Sequence, residues 1–314
     1  MTSRVPKLRV VASAWSLALA VATAGCGKMV ADTSFSVARQ STAGVQSMHD
    51  FEAAEKMTYA GLAQLESLHV LSPDNEDGLF LLLQAWDGAG QAFIMDEAEE
   101  ALVRGDEASA AYHKRRARAA FQRAKAFGLE LLALQAEGFP AATRNARSLK
   151  GWLEAEMGDR KYAPELLWLG IAWLGLVGAD SENSETVADL WVGVALIEHS
   201  IRLDETVEYG LGHVILGAYH ARAAIAAPEF PEAKRQFDRA LQINGGKYLV
   251  TKLQLAQRYF CQTHDKASYL RTLNEVLDDP DPLPAARLAN TVAKRFAARY
   301  LADARFRAEC GFGL

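Results

Sequence analysis

The 314-residue chain holds only three cysteines, Cys26, Cys261 and Cys310, and nine prolines. So little cysteine excludes a disulfide-dense mini-fold, and 50% hydrophobic residues exclude a disordered chain. Lys and Arg number 34 against 39 Asp and Glu, a formal net charge of -5. The basic excess of a nucleic-acid binder is missing, so no nucleic-acid partner is implied. Nor is there a sustained apolar/polar alternation to mark a half-buried strand. Nucleophile turns of the Gly-x-Ser-x-Gly type, a His-Glu-x-x-His zinc helix and a Cys-x-x-Cys pair are all lacking. The expectation is a non-enzymatic protein with no catalytic residues, metal or cofactor.

Two near-motifs fail on spacing. Gly245-Gly246-Lys247 has the composition of a phosphate loop, but Leu241 stands where the leading glycine belongs and Tyr248 follows in place of Ser or Thr. It reads as a helix-to-helix turn. His213 and His220 share a helix face, yet seven residues separate them by about 10 Å at ~1.5 Å each. Ligands of one zinc lie ~2.0 Å from the metal, so this pair alone does not chelate. A hydrogen-bonded histidine in a groove is the expectation for His213 and for His220, with a partner contact as the alternative.

What is present begins with a distinct N-terminus. Arg4, Lys7 and Arg9 precede a nearly all small or apolar stretch from Val10 to Thr23. As a helix it would rise about 21 Å, short of a ~30 Å hydrocarbon core, so it reads as a signal sequence rather than a membrane span. It ends in Thr23-Ala24-Gly25-Cys26, which resembles the bacterial lipobox. That resemblance implies acylation of Cys26, which would become the mature N-terminus. Ordinary signal cleavage after Ala22 or Ala24 is the alternative. Gly27, where the inner-membrane sorting pattern has Asp, implies the outer membrane. Expected divisions are a lipoprotein signal peptide over 1–25, a lipidated flexible tether over 26–47 and an all-helical domain over 48–314. Cys261 and Cys310 are expected to be a buried inert thiol and a frayed terminal one, with pairing in an oxidising periplasm as the alternative.

From Asp50 onward apolar residues recur at i, i+3, i+4 and i+7. The spacing predicts helices over 50–70, 74–103, 107–127, 129–137, 141–157, 164–177, 185–202, 207–225, 231–243, 248–263, 266–277 and 284–306. Ser72-Pro73 is read as an N-cap with proline in the first turn, and Pro164, Pro231 and Pro284 sit at similar starts. Gly128, Gly158, Gly178 and Gly245-Gly246 fall where C-caps are expected. Short connections predict antiparallel helical hairpins. Folding at Gly105 sets Asp96, Glu97, Glu99 and Glu100 against Lys114, Arg115, Arg116 and Arg118, a solvated face of exposed ion pairs that selects register more than it stabilises.

Paired helices in series invite a search for repeats. Ala117, Phe121 and Ala124, like Ala233, Phe237 and Ala240, fit the second helix of a tetratricopeptide unit. Leu169-Gly170 with Trp173 fits the first helix, and Leu216-Gly217 with His220 fits it more weakly. Ala267 stands one repeat period beyond Ala233. The fold class is therefore all-α, a degenerate tetratricopeptide-like array.

The run Ser72-Pro73-Asp74-Asn75-Glu76, then Leu79-Phe80-Leu81-Leu82-Leu83-Gln84-Ala85-Trp86, Ala92-Phe93 and Asp96-Glu97-Ala98-Glu99 resembles the TatT family. These are tetratricopeptide-containing lipoproteins associated with tripartite ATP-independent periplasmic (TRAP) transporters. The similarity continues through Leu167 to Trp173, His213 to Tyr219, Phe237 to Ala240, Gly245-Gly246-Lys247, Glu275-Val276-Leu277 and Leu283-Pro284 to Asn290. It implies a non-catalytic periplasmic role, a membrane anchor through the N-terminal lipid, binding to the transporter's solute-binding protein, self-association with a trimer as precedent, and an apolar cleft for a small hydrophobic ligand. Trp86, Trp168, Trp173, Trp191 and Tyr219 are candidates to line such a cleft, and ordinary core packing is the alternative for each. A lipoprotein scaffold for another envelope complex is the alternative function.

Overall fold

A computed structural model describes the backbone of residues 11–222 and 228–313, with side chains described from residue 27 onward. The charged start of the signal segment, the side chain of Cys26 and the expected helical residues 223–225 lie outside the described residues. Among the described residues there is no strand.

α1 (Val11–Gln46), α2 (Phe51–Leu71) and α3 (Glu76–Ala89) open the array. The expected flexible tether is not found from residue 27 on, where the chain is helical and packed. Ala31 and Phe35 are fully buried against Leu81, with Ala38, Leu65 and Leu68 around them. Ala31, Phe35 and Ala38 stand at i, i+4 and i+7, a helical stripe hidden among serines, threonines and alanines. Phe35 lies so close over Gly78 that a Cβ there would meet its ring at 2.7 Å. Asn75, not Ser72, caps α3 by accepting from the Gly78 amide, while Ser72 ends α2.

α3 passes through a π-helical stretch, Gly90–Ile94, directly into α4 (Met95–Val103), matching the single helix expected over 74–103. α5 (Glu107–Gln135) is continuous through Gly128. That glycine does not end a helix; it admits Leu169, whose Cδ1 would stand 2.7 Å from an added Cβ. Short α6 (Phe139–Ala142) and α7 (Ala146–Glu156) follow, and then α8 (Ala163–Ala179), whose first turn contains Pro164. The stretch Arg160–Ala179 is long and apolar enough to cross a membrane, but 56% of it is buried inside the molecule. It is a central core helix between α3, α5 and the later α10.

α9 (Ser184–Ala188), α10 (Leu190–Asp204), α11 (Leu211–Ala221) and α12 (Phe230–Asn244) continue the hairpins. The repeat pattern has a physical basis in them. Phe237 of α12 fills the notch at Gly217 of α11, where a Cβ would meet its ring at 2.8 Å, and Phe121 fills notches at Gly90 and Gly175. Ala117, Ala124, Ala233 and Ala240 are all fully buried beside these rings. Gly245 and Gly246 take left-handed conformations, with Gly245 at the C-cap of α12.

α13 (Leu249–Gln254) runs into a second π-helical stretch, Leu255–Phe260, before α14 (Lys266–Asp278), α15 (Arg287–Ala302) and α16 (Ala304–Glu309). Here the repeat register fails. Ala267 is exposed, and Tyr269, Thr272, Leu273 and Val276 form the buried face of α14.

Cys261 and Cys310, expected as separate thiols, form a disulfide with Cα atoms 4.7 Å apart. The cause is the return of the last helix: Gly311 turns left-handed, Phe312 is buried edge-on to Tyr269 at 5.2 Å, and His264 Nδ1 meets the Cys310 carbonyl at 2.9 Å.

The array also closes on itself. α15 packs against α1 and α2, with Leu288 and Val292 against the cluster of Phe51, Ala54 and Phe93. The acidic run of α4 serves this closure. Glu97 pairs with Arg116 and lies 3.0 Å from His113 Nδ1, as hairpin folding requires. Asp96, Glu99 and Glu100 turn away from exposed Lys114 and Arg115 to Arg295 and Arg299 of α15.

Candidate ligand and partner site

The large core cluster runs from Leu79 on α3 to Leu196 on α10 and takes in five of the six expected site residues. Trp173 is buried within it, against Phe139 at 6.4 Å between ring centroids, with the Lys125 ammonium 3.5 Å from its ring centroid. Trp86, Trp168, Trp191 and Tyr219 pack on the cluster with part of each side chain open. Trp168 and Tyr219 also pack on the neighbouring cluster of Leu167, Ile171, Val214 and Phe237, so they lie at the junction of the two. The Trp86 indole donates to Glu66 Oε1 at 2.8 Å, and the Arg222 guanidinium stands 4.1 Å from the Tyr219 ring centroid.

His213 stands apart from this group. Its ring is buried between Gln236, 2.6 Å from Nδ1, and Glu205, 3.2 Å from Nε2. Arg239 also grips Glu205 and, with the histidine, holds its carboxyl down to about 2. The imidazole thus joins α11 to the end of α10 and to α12, an architectural role. His220 is separately paired with Glu229 at 2.6 Å, and among the described residues no group of three or more His, Cys, Asp or Glu is placed to hold a metal.

Two further features of this region match no sequence motif. Asp87, in the last turn of α3 before the π-helical stretch, is fully buried, and among the described residues neither carboxylate oxygen has a hydrogen-bond partner. Burial pushes its pKa well above the ordinary carboxylate value, toward a neutral acid beside the Trp86 position. The signal was legible: Asp87 is the one charged residue between Asp77 and Asp96, in an otherwise apolar run.

The second is the turn Glu208-Tyr209-Gly210, three successive residues with positive φ of 48°, 60° and 81°. Left-handed geometry at two non-glycine residues costs about 1–3 kcal/mol each, strain of a kind that concentrates at functional sites. Asn244 Nδ2 holds the turn by donating to the Tyr209 carbonyl at 3.1 Å, and the Tyr209 ring packs on that of Tyr248 at 5.3 Å. Burial pushes the Glu208 carboxyl up, opposed by the nearby Trp168 indole N–H, which among the described residues has no hydrogen-bond partner. Trp168 and Tyr209 of this strained turn pack on the same apolar cluster.

A cavity of about 100 Å³ lies elsewhere, beside the disulfide, lined by Gln257, Arg258, Cys261, Tyr269, Tyr300 and Phe306. A more open groove of about 430 Å³ runs along Pro231, Lys234, Asp238 and Gln242 of α12. Neither includes an expected site residue.

No curated protein matches the chain. The family described as TAtT, TRAP transporter T-component, matches residues 47–306, which spans the helical array from the start of α2 through α15. The chain belongs to the TRAP transporter T-component family.

Proposed function

We propose that the protein is a non-catalytic periplasmic lipoprotein, acylated at Cys26, that binds the solute-binding protein of a TRAP transporter and holds a small hydrophobic ligand. The observation that carries this reading is the family match over residues 47–306. Membership of a transporter component family supports an accessory role in the envelope. The Cys261–Cys310 disulfide supports an oxidising compartment, and the lipobox resemblance at Thr23 to Cys26 supports the anchor. Stacked hairpins give a broad face for a protein partner. The half-open aromatic group of Trp86, Trp168, Trp191 and Tyr219, with buried Trp173 behind it, is the proposed apolar site. Self-association as a trimer is part of the same reading.

Affinity capture of the mature protein from a detergent extract tests the role. The expected result is recovery of a TRAP solute-binding protein. Recovery of envelope-assembly or wall-bound proteins without it overturns the proposal in favour of a scaffold.

A further inference from the structure

Met29 and Val30 of α1 and Val70 and Leu71 of α2 are exposed to 65%, 59%, 79% and 50%. All four occupy one end of the molecule, where a Cβ on Gly27 would stand 3.9 Å from Leu71 Cδ2. His69 reaches Glu130 of α5 at 3.8 Å there, one turn before Leu134, which is itself exposed. Single exposed apolar residues are ordinary. Five gathered at one end form a patch that marks an interaction surface. Farther along α1 the outward positions Thr33, Ser36, Val37, Gln40, Ser41 and Gly44 carry no charge.

The patch is rigidly joined to the segment of α1 that directly follows Cys26. Lys28 Nζ donates to Ser72 Oγ at 2.8 Å and to Asp74 at 2.6 Å. Ser72 Oγ donates to Asp32 at 2.6 Å, and Asn75 Nδ2 donates to the same carboxylate oxygen at 2.8 Å. These bonds tie the turn of α1 after Gly27 to the connection between α2 and α3. Only Gly27 separates Cys26 from this packed body, whereas a long Gly- and Ser-rich linker would let the body stand away from its anchor.

We infer that this end of the molecule, formed by Met29, Val30, Val70, Leu71 and Leu134, docks into the interfacial layer of a phospholipid bilayer. The inference rests on acylation of Cys26. From Cys26 to Val30 the helix rises about 6 Å, within the ~5–10 Å depth of the headgroup and acyl boundary. Lys28 at the rim is matched by Asp74, so the apolar side chains enter beside a paired charge rather than a lone one. Docking there fixes the orientation of the array. Tyr112, 53% exposed, lies about 27 Å along α5 from Glu130 and stands out in water.

The test uses the native lipoprotein with Val70→Cys, in which acylated Cys26 and the Cys261–Cys310 disulfide leave one free thiol. It is labelled with an environment-sensitive nitrobenzoxadiazole fluorophore and reconstituted in phosphatidylethanolamine/phosphatidylglycerol vesicles. A Tyr112→Cys protein is treated identically, and mass spectrometry of each N-terminus reports acylation. The expected result is a blue-shifted, several-fold brighter signal at position 70 and an unchanged one at 112. An acylated protein whose position 70 stays in water overturns docking and leaves the lipid anchor intact. Equal shifts at both positions overturn the orientation, and an unacylated N-terminus overturns the anchor and this inference together.

Discussion

Arg299 closes on Asp96 across 203 residues of chain, and with it the last long helix is fastened to the acidic run of α4. The side chains are only 8% and 3% exposed. The second guanidinium nitrogen of Arg299 bonds Glu99 at 2.9 Å, and Tyr300 Oη donates to the same carboxylate at 3.0 Å. An array of hairpins held mainly by neighbours thereby gains one long-range clasp.

Removing Arg299 strips buried Glu99 of its cation and leaves Asp96 to Arg295 alone. Arg299→Met is expected to destabilise the fold by about 3–5 kcal/mol in urea unfolding. A change under 1 kcal/mol would show that solvent reaches Asp96 and that the clasp is dispensable.

Asp87 sets a pH dependence of definite sign. Its pKa is raised by burial above the ordinary 3.8, so the native state binds this proton more tightly than the unfolded chain. Its contribution to stability is fully present below 3.8 and falls as pH rises through that value toward the folded one. Asp87→Leu, similar in shape and without orphaned oxygens, is expected to be more stable than the parent by ~1–3 kcal/mol near neutral pH, with the gap narrowing toward pH 3. Thermal unfolding across that range checks it, and a gap that widens on acidification would refute the assignment.

The disulfide closes a sequence separation of 49 residues and secures α16 and Phe312 over Tyr269. Cys310→Ser is expected to lose about 2–5 kcal/mol, with the loss reproduced in the parent by reductant. Identical denaturation curves with and without reductant would contradict a stabilising staple.

Gly170 lets α8 and α10 touch. An added Cβ would stand 2.5 Å from Ile197 Cγ1 and 2.9 Å from the Gly193 carbonyl. Gly170→Ala is expected to cost about 1–3 kcal/mol, whereas Gly151→Ala, with open space around it, should be neutral or slightly stabilising in the same denaturation assay.

Local signals carried most of the fold. Pro164, Pro231 and Pro284 mark starts, Gly245 marks an end, and Phe237 on Gly217 gives the repeat pattern its contact. Ala31, Phe35 and Ala38 were unreadable because a three-residue stripe in a small, polar segment looks like linker until α3 supplies its partner surface. The pairing of Cys261 with Cys310, and of Asp96 with Arg299, depends on how the array closes, which no local periodicity encodes. Spacing likewise placed the aromatic residues on helices, but only packing shows five of them in one cluster and His213 bound elsewhere as an interhelical link.

The central claim is a direct complex with a TRAP solute-binding protein. Isothermal titration calorimetry of the purified mature protein against the solute-binding protein of its own transporter tests it most directly. Saturable binding with a defined stoichiometry, weakened when Trp191→Ala opens the edge of the aromatic group, is the expected result. No heat and no co-migration in analytical ultracentrifugation at concentrations up to ~100 μM, where a complex of about −6 kcal/mol would register, would contradict the account.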